Sequence, residues 1–203
     1  AYLLGFKNEP LHGKTYLDGG VINNVPLNSL VKRGYKNIIT VRIYGPGREP
    51  RVHLDEDTKV YEIAPRVSLG SILEFHGKRS RQNLKIGYYD AKRVIYGLKG
   101  LIYYIDTDRT EEDYQQMLSG LREKEKREIK FVLKVPLGAT DETLYLSMLE
   151  ASAKYFRIPK YQIYKEDELA ALVHMKYEKM KGEPGLPGFI HILAGIREEK
   201  NMN

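Results

Sequence analysis

The chain has 203 residues, of which 42% are hydrophobic and 30% charged, a composition typical of a soluble globular protein with room for one sizeable core. It contains no cysteine, which excludes a disulfide scaffold and thiolate zinc sites, and its apolar stretches fall short of the roughly 20 residues that cross a bilayer. The formal charge of +6 suits contact with anionic lipid headgroups or nucleic acid, and is equally compatible with an ordinary lysine-rich surface.

The first region, residues 1–105, has the helix-then-strand order of an α/β sheet. A short helix is predicted over residues 25–34, with a proline near its start and a glycine at its end. Residues 38–44 and 60–64 follow as strands, and the β-branched density of the first of them indicates a buried strand. Gly45-Pro46-Gly47 ends that strand in a turn.

A long helix is predicted over residues 69–98. Its apolar residues recur at alternating steps of four and three, which places them on one helix face: Leu84, Tyr88, Ala91, Ile95 and Leu98. The segment Gly97-Leu98-Lys99-Gly100 is interpreted as the end of this helix rather than as a phosphate-binding loop.

The second region, residues 106–203, is expected to be mainly helical. The charged segment 111–129 is typical of one exposed helix, whose narrow apolar seam consists of Tyr114, Met117, Leu118 and Leu121. Residues 131–135 are predicted to form a strand.

Two further helices in this region begin with acidic residues, which complement the helix dipole. One opens at Thr140-Asp141-Glu142 and ends before Pro159, and the next opens at Glu166-Asp167-Glu168. The apolar segment 186–193 fits docking on the core as well as contact with a membrane or a partner.

One segment near the N-terminus carries recognisable chemistry: Gly13-Lys14-Thr15-Tyr16-Leu17-Asp18-Gly19-Gly20, followed by Asn23-Asn24-Val25-Pro26. By itself Asp-Gly-Gly also fits a hairpin turn. With its flanks the segment resembles the Asp-Gly-Gly signature of patatin-like phospholipases, and it matches at Gly13, Tyr16, Asp18, Gly19, Gly20, Asn24 and Pro26. Residues 34–41 resemble the next strand of that family and residues 86–91 a helical segment of its bacterial branch, so the resemblance covers about the first 100 residues.

The resemblance implies a three-layer α/β/α hydrolase fold, of which residues 1–105 are the C-terminal part. It also implies a catalytic dyad in which a serine within Gly-x-Ser-x-Gly attacks an acyl ester of a phospholipid or related lipid. Asp18 is expected to act as the base or to orient the serine, with Gly19 and Gly20 shaping its turn and Asn23 and Asn24 orienting it. No cofactor is implied, and the five histidines form no metal-binding pattern.

The nucleophile of this dyad is missing, because no Gly-x-Ser-x-Gly occurs in the sequence. In the family this motif and the glycine-rich oxyanion loop both lie N-terminal to Asp-Gly-Gly. We therefore expect a truncated chain that is inactive alone and depends on the missing N-terminal part of the same protein. The alternative is a non-catalytic patatin-like module for lipid binding or interaction.

A basic run at the start of the long predicted helix contains Lys78, Arg79, Arg81 and Lys85. These residues fit contact with lipid headgroups at an anionic membrane surface, and a solvated helix face explains them equally. The expected location is the cytoplasm, with peripheral membrane contact as an open alternative. Nucleic acid is not an expected partner, because the sixteen tyrosines fall largely on apolar seams; a basic nucleic-acid-binding domain is the remaining rival.

Overall fold

In the computed structural model of the protein, seven α-helices and two parallel sheets of two strands each are found in the part of the chain that is described. The fold is therefore mixed α/β, as predicted. The chain divides into two compact units, Ala1–Val94 and Ile95–Asn203. The described residues are Pro10, 12–14, Tyr16, 19–45, 47–71 and 76–202, with backbone only for 197–202.

The first unit contains a short helix and a parallel strand pair, which confirms the order predicted from the sequence. Helix α1 spans Leu27–Val31, strand β1 spans Asn37–Val41 and strand β2 spans Lys59–Ile63. Asn37 pairs with Lys59 at one end of the sheet and Val41 with Ile63 at the other. Helix α1 and strand β1 are shorter than predicted, and β2 begins one residue earlier with the predicted length.

Strand β1 is not the buried strand that its β-branched residues indicated. Ile38 is only 3% exposed, whereas Ile39 is 67% and Val41 is 72% exposed. Successive side chains of a strand point to opposite faces, so one face of β1 is packed and the other is open. The hydrophobic pattern predicted burial on both faces, and the described residues of this unit cover only one.

Helix α2 spans Gly77–Tyr96 and buries a different face from the one predicted as apolar. Leu84 is 73% and Tyr88 is 56% exposed, while Ile86, Asp90 and Arg93 are buried. The two buried charges are paired, because Arg93 Nη1 donates to Asp90 Oδ1 at 2.6 Å. The predicted start at residue 69 is wrong, and Gly97 follows the helix at φ +67°, which fits the predicted helix ending.

The second unit is a helical cluster with two very short strands. Helix α5 lies at its centre and packs against α3, α4, α6 and α7. Residues from all five helices and both strands supply the core, including Ile105, Tyr114, Ile129, Met148, Tyr164, Leu169 and Ile190. The elements are β3 (Tyr104–Asp106), α3 (Glu111–Met117), α4 (Glu123–Leu133), α5 (Asp141–Tyr155), β4 (Ile163–Lys165), α6 (Glu166–Met180) and α7 (Gly188–Met202).

The strand predicted at residues 131–135 is wrong, because residues 131–133 form the last turn of α4. Ile129 and Leu133 lie one helical turn apart and both pack on the core, so the apolar residues here follow the period of a helix. Phe131 and Val132 are exposed. The single helix predicted over residues 111–129 is in fact two, since α3 ends at Met117 and α4 begins at Glu123. The predicted apolar seam of this segment packs on the core, with Tyr114 and Leu118 fully buried.

The predicted helix starts of the second unit are confirmed. Thr140 caps α5 by accepting the Thr143 N–H on its hydroxyl at 3.2 Å, and α6 begins at Glu166. The apolar segment 186–193 docks on the core of this unit, since Ile190 is 0% and Leu193 is 5% exposed. None of the described helices combines the length and the hydropathy needed to cross a membrane.

Candidate functional site

The candidate site is the turn that follows Asp18, which itself lies outside the described residues. Gly19–Val21 form one turn of 3-10 helix. The Gly19 carbonyl accepts the N–H of Ile22 at 3.1 Å and that of Asn23 at 2.9 Å. The described geometry of the site therefore begins immediately after the predicted catalytic residue.

Three hydrogen bonds dock this turn on the loop that follows β1. The Arg48 N–H donates to the Gly20 carbonyl at 3.1 Å, and the Asn24 N–H donates to the Arg48 carbonyl at 2.7 Å. The Asn24 side chain adds a third bond, from Nδ2 to the Gly45 carbonyl at 3.0 Å. The turn is therefore held at the carboxyl end of β1, the edge at which open parallel sheets hold their ligands.

The close approach of the two segments depends on Gly47. Its φ is +152°. A Cβ at this position would lie 2.2 Å from the Gly20 carbonyl oxygen, a distance too short for any side-chain atom, so only glycine fits here. Tyr44 also adopts a left-handed backbone, at φ 50°. The sequence predicted a turn that ends the strand here. The contact of this turn with Gly20 was not predicted, because the two segments are far apart in the chain.

The predicted site residues Asn23 and Asn24 contact different elements. Asn23 Nδ2 donates to Asn28 Oδ1 at 3.0 Å and so joins the turn to α1. Asn24 joins the turn to the loop after β1, as described above. The two side chains thus tie the backbone after Asp18 from opposite sides.

An apolar cavity of about 700 Å³ opens at the same end of the sheet. Residues at the ends of both strands and one face of α2 form its walls, among them Val41, Ile43, Ile63, Leu69, Leu84 and Ala91. A concave and mainly apolar space of this size is typical of a site for a small apolar ligand.

Arg42 borders this cavity and was not singled out from the sequence. Its guanidinium donates to Glu62 at 2.9 Å and to Glu49, and lies 4.9 Å from the centroid of the Tyr44 ring. The hydrogen bond to Glu62, followed by that to Glu49, raises the pKa of Arg42. Arg42 therefore holds a permanent charge that ties the loop after β1 to β2.

The predicted headgroup residues do not all lie together. Lys78, Arg81 and Lys85 are exposed and, at spacings of three and four, share one face of α2. Arg79 is half-buried, and its guanidinium packs against the backbone of Gly70, where a Cβ would lie 2.0 Å from Nη1. Three of the four predicted cations therefore face solvent, and Arg79 supports the local fold.

A second cavity, of about 730 Å³, lies in the second unit beside the ends of β3 and β4. Its charges pair with one another: Arg109 binds Glu166 and, at 2.7 Å, Asp167, while Tyr114 donates its hydroxyl to Glu166 at 2.5 Å. Burial and the bond to Glu166 raise the pKa of Tyr114, which stays a neutral donor. These ion pairs and this hydrogen bond join α6 to α3 and to the loop before α3, which gives the polar lining a structural role.

Within the described ranges, no three His, Asp or Glu side chains gather closely enough to hold a metal ion. Comparison of the chain with protein-family models, with curated proteins and with solved structures finds no match.

Proposed function

We propose that this chain is the aspartate-bearing part of a patatin-like lipid acyl hydrolase, in which Asp18 serves a serine located outside these 203 residues. One observation carries the proposal: the backbone directly after Asp18 is docked at the carboxyl end of β1. The loop that receives it continues from Arg42 and Ile43, which line the apolar cavity. The backbone next to the proposed acid and an apolar ligand site therefore lie at the same sheet edge, which suits lipid ester hydrolysis.

In the proposed reaction the serine hydroxyl attacks the ester carbonyl carbon while its proton passes to Asp18. Collapse of the tetrahedral intermediate breaks the ester bond, and the departing alcohol takes that proton. Water then attacks the acyl-serine while Asp18 accepts its proton. Collapse of the second tetrahedral intermediate frees the fatty acid and returns that proton from Asp18 to the serine oxygen. The glycines after Asp18 suit this role because they allow close backbone approach beside the reacting groups.

The exposed face of the first sheet supports a further contribution from the rest of the protein. Parallel sheets are normally covered on both faces, yet Ile39 and Tyr61 are 67% and 45% exposed. Further strands and helices of a three-layer fold would cover these side chains. The N-terminal part of the same protein is the proposed source.

In this proposal the cavity binds the acyl chain of the lipid, and the exposed face of α2 contacts the lipid headgroups. The apolar walls formed by Val41, Ile63 and Leu84 suit an acyl chain. The exposed face of Lys78, Arg81 and Lys85 attracts the anionic headgroups of the lipid surface from which the substrate is drawn.

The test is fluorophosphonate labelling of the full-length gene product, followed by peptide mass spectrometry. We expect label on a serine in a glycine-flanked peptide, and we expect Asp18→Asn to slow labelling by at least about 10²-fold, because a general base is lost. The matched control is Asp57→Asn, an exposed carboxylate whose partner Lys36 keeps its 2.9 Å ion pair with Asp55. This control should label as the wild type does.

A folded full-length protein that takes no label would contradict the hydrolase. That result would favour a non-catalytic lipid-binding module, the alternative to which the missing Gly-x-Ser-x-Gly motif points. Labelling that survives Asp18→Asn would place the dyad acid elsewhere.

A further inference from the structure

The end of α4 exposes a compact group of large apolar side chains. Phe131 is 82%, Val132 is 63% and Leu137 is 70% exposed, and we call these three residues the apolar tip. They point outward because α4 packs on the core through Ile129 and Leu133. Single exposed apolar residues are ordinary on protein surfaces, whereas a group of them is a candidate interaction site.

The apolar tip has a fixed backbone. The Val135 N–H donates to the Lys130 carbonyl at 2.8 Å and the Lys134 N–H to the Phe131 carbonyl at 3.2 Å, which close the helix end. The side chain of Lys130, only 8% exposed, donates its ammonium to the carbonyls of Leu137 at 3.0 Å and Ala139 at 2.7 Å. A buried lysine committed to two loop carbonyls holds the apolar tip in one shape before any partner arrives.

Cations surround the apolar tip. Lys124 and Arg127 lie seven and four residues before Phe131 on the same face of α4, and Lys134 follows the helix; all three are exposed and form no ion pair within the described residues. The acids of this surface are Glu123, which lies 4.0 Å from Lys126, and the exposed Glu128. The rim of the apolar tip is therefore net basic.

We propose that the apolar tip and its cations form a docking surface for an anionic lipid bilayer. Phe131, Val132 and Leu137 enter the boundary between headgroups and acyl chains, while the cations contact lipid phosphates, as in interfacial amphipathic helices. Phe131 is 82% exposed, so a protein partner would need a pocket that matches its side chain. A bilayer is fluid and accommodates the side chain without a preformed pocket. The surface involves neither Asp18 nor the missing serine, so it stands or falls separately from the hydrolase.

The test is co-sedimentation of the 203-residue chain with vesicles of phosphatidylcholine alone or mixed with phosphatidylglycerol. We expect binding to the mixed vesicles that weakens with salt. The double variant Lys124→Gln/Arg127→Gln should weaken binding about 25-fold, since each surface cation is worth roughly a factor of five. Phe131→Ser combined with Leu137→Ser should abolish detectable binding.

Matched controls come from α6 of the same unit. Met175 is 46% exposed, and Lys176 and Lys179 are exposed on the same helix. Met175→Ser and Lys176→Gln/Lys179→Gln should leave vesicle binding within about twofold of wild type. Circular dichroism and urea unfolding of every variant verify the fold, which substitutions at such exposed positions should preserve.

Three results would overturn the proposal. One is wild-type binding by the Phe131→Ser/Leu137→Ser variant, and another is equal binding to phosphatidylcholine vesicles without anionic lipid. The third is a chain that ignores vesicles but forms a dimer dispersed by Phe131→Ser, which would make the apolar tip a contact between copies.

Discussion

Glu150 fixes the backbone of the loop before β3, near the start of the second unit. One carboxylate oxygen, Oε1, accepts the N–H groups of Leu101, Ile102 and Tyr103, each at 2.8 Å. Glu150 is 5% exposed, and its bond with Tyr103 is buried while the other two are partly buried. Charged acceptors form strong hydrogen bonds in such surroundings. Gly100 makes room for the carboxylate, because a Cβ there would lie 2.8 Å from Oε1.

We therefore expect Glu150→Ala to lower the free energy of unfolding by about 3 kcal/mol, since it leaves one buried and two partly buried backbone donors without their acceptor. Glu150→Gln keeps an oxygen in place and should cost about 1–2 kcal/mol, the difference between a charged and a neutral acceptor. Urea unfolding followed by circular dichroism at 222 nm measures both. Glu168→Gln, an exposed acid on α6, is the control and should change stability by less than about 0.5 kcal/mol.

Equal stabilities for the wild type and Glu150→Ala would show that the loop before β3 is held by other contacts. No local sequence pattern announces this interaction, because the carboxylate and its donors are 47 to 49 residues apart. The sequence offers one indication of this interaction, a glutamate among apolar residues in the middle of a predicted helix.

At the scale of the element, the end of α5 combines a regular capping motif with an unfavourable residue. The Ile158 N–H donates to the Ala153 carbonyl at 2.9 Å and the Arg157 N–H to the Lys154 carbonyl at 3.1 Å, the bond pair of a Schellman motif. Its left-handed position is normally glycine, but here it is Arg157 at φ 54°. A Cβ in this conformation costs about 1–2 kcal/mol.

Replacing Arg157 by glycine should therefore stabilise the protein by about 0.5–1 kcal/mol, because the relief of strain exceeds the added flexibility of the unfolded chain. Thermal unfolding should show a rise of a few degrees in Tm. Arg157→Ala is the control, since it removes the charge and keeps the Cβ, and it should not raise Tm. A rise of equal size in both variants would attribute the effect to the charge instead.

The elements that could be predicted were those whose ends are marked by residues in the local sequence. Thr140 and the acids of α5 and α6 mark helix starts, and Gly34 marks the end of the turn after α1. Strands β3 and β4, of three residues each, carry no period that a pattern can reveal, and they form only because they pair with each other. The apolar run at residues 131–135 misled because short runs of this kind fit a helix or a strand.

The candidate site shows the same division between local and distant information. The segment Asp18-Gly19-Gly20 was singled out from its own residues. Arg48, which is hydrogen-bonded to the turn, and Gly47, which approaches Gly20 closely, lie more than 25 residues after Gly20 and were missed. Arg42 was missed for the same reason, because its role depends on hydrogen bonds to Glu49 and Glu62, which the sequence alone does not reveal. Motifs identify chemistry, and the groups that position it come from the tertiary fold.

At the scale of the whole molecule, the two units differ in how much apolar surface they bury. Of the described residues before Ile95, only Ile38 and Ile86 are buried apolar side chains, at 3% and 2% exposed. The large core cluster lies entirely after residue 102 among the described residues. Because local stability follows buried apolar contact, the units should open with different free energies.

We therefore expect amide hydrogen exchange of the 203-residue chain to separate the units. Amides of α5 and α6 should exchange only on global unfolding of the second unit, while those of β1 and β2 exchange much faster; a gap of about 3 kcal/mol in opening free energy corresponds to about 10²-fold in rate. Peptide-resolved mass spectrometry measures both in one sample, and Glu150→Ala should accelerate α5 while leaving β1 unchanged. Equal protection of β1 and α5 would mean that the open face of the first sheet is already covered in this chain, and would remove one support for a contribution from elsewhere in the protein.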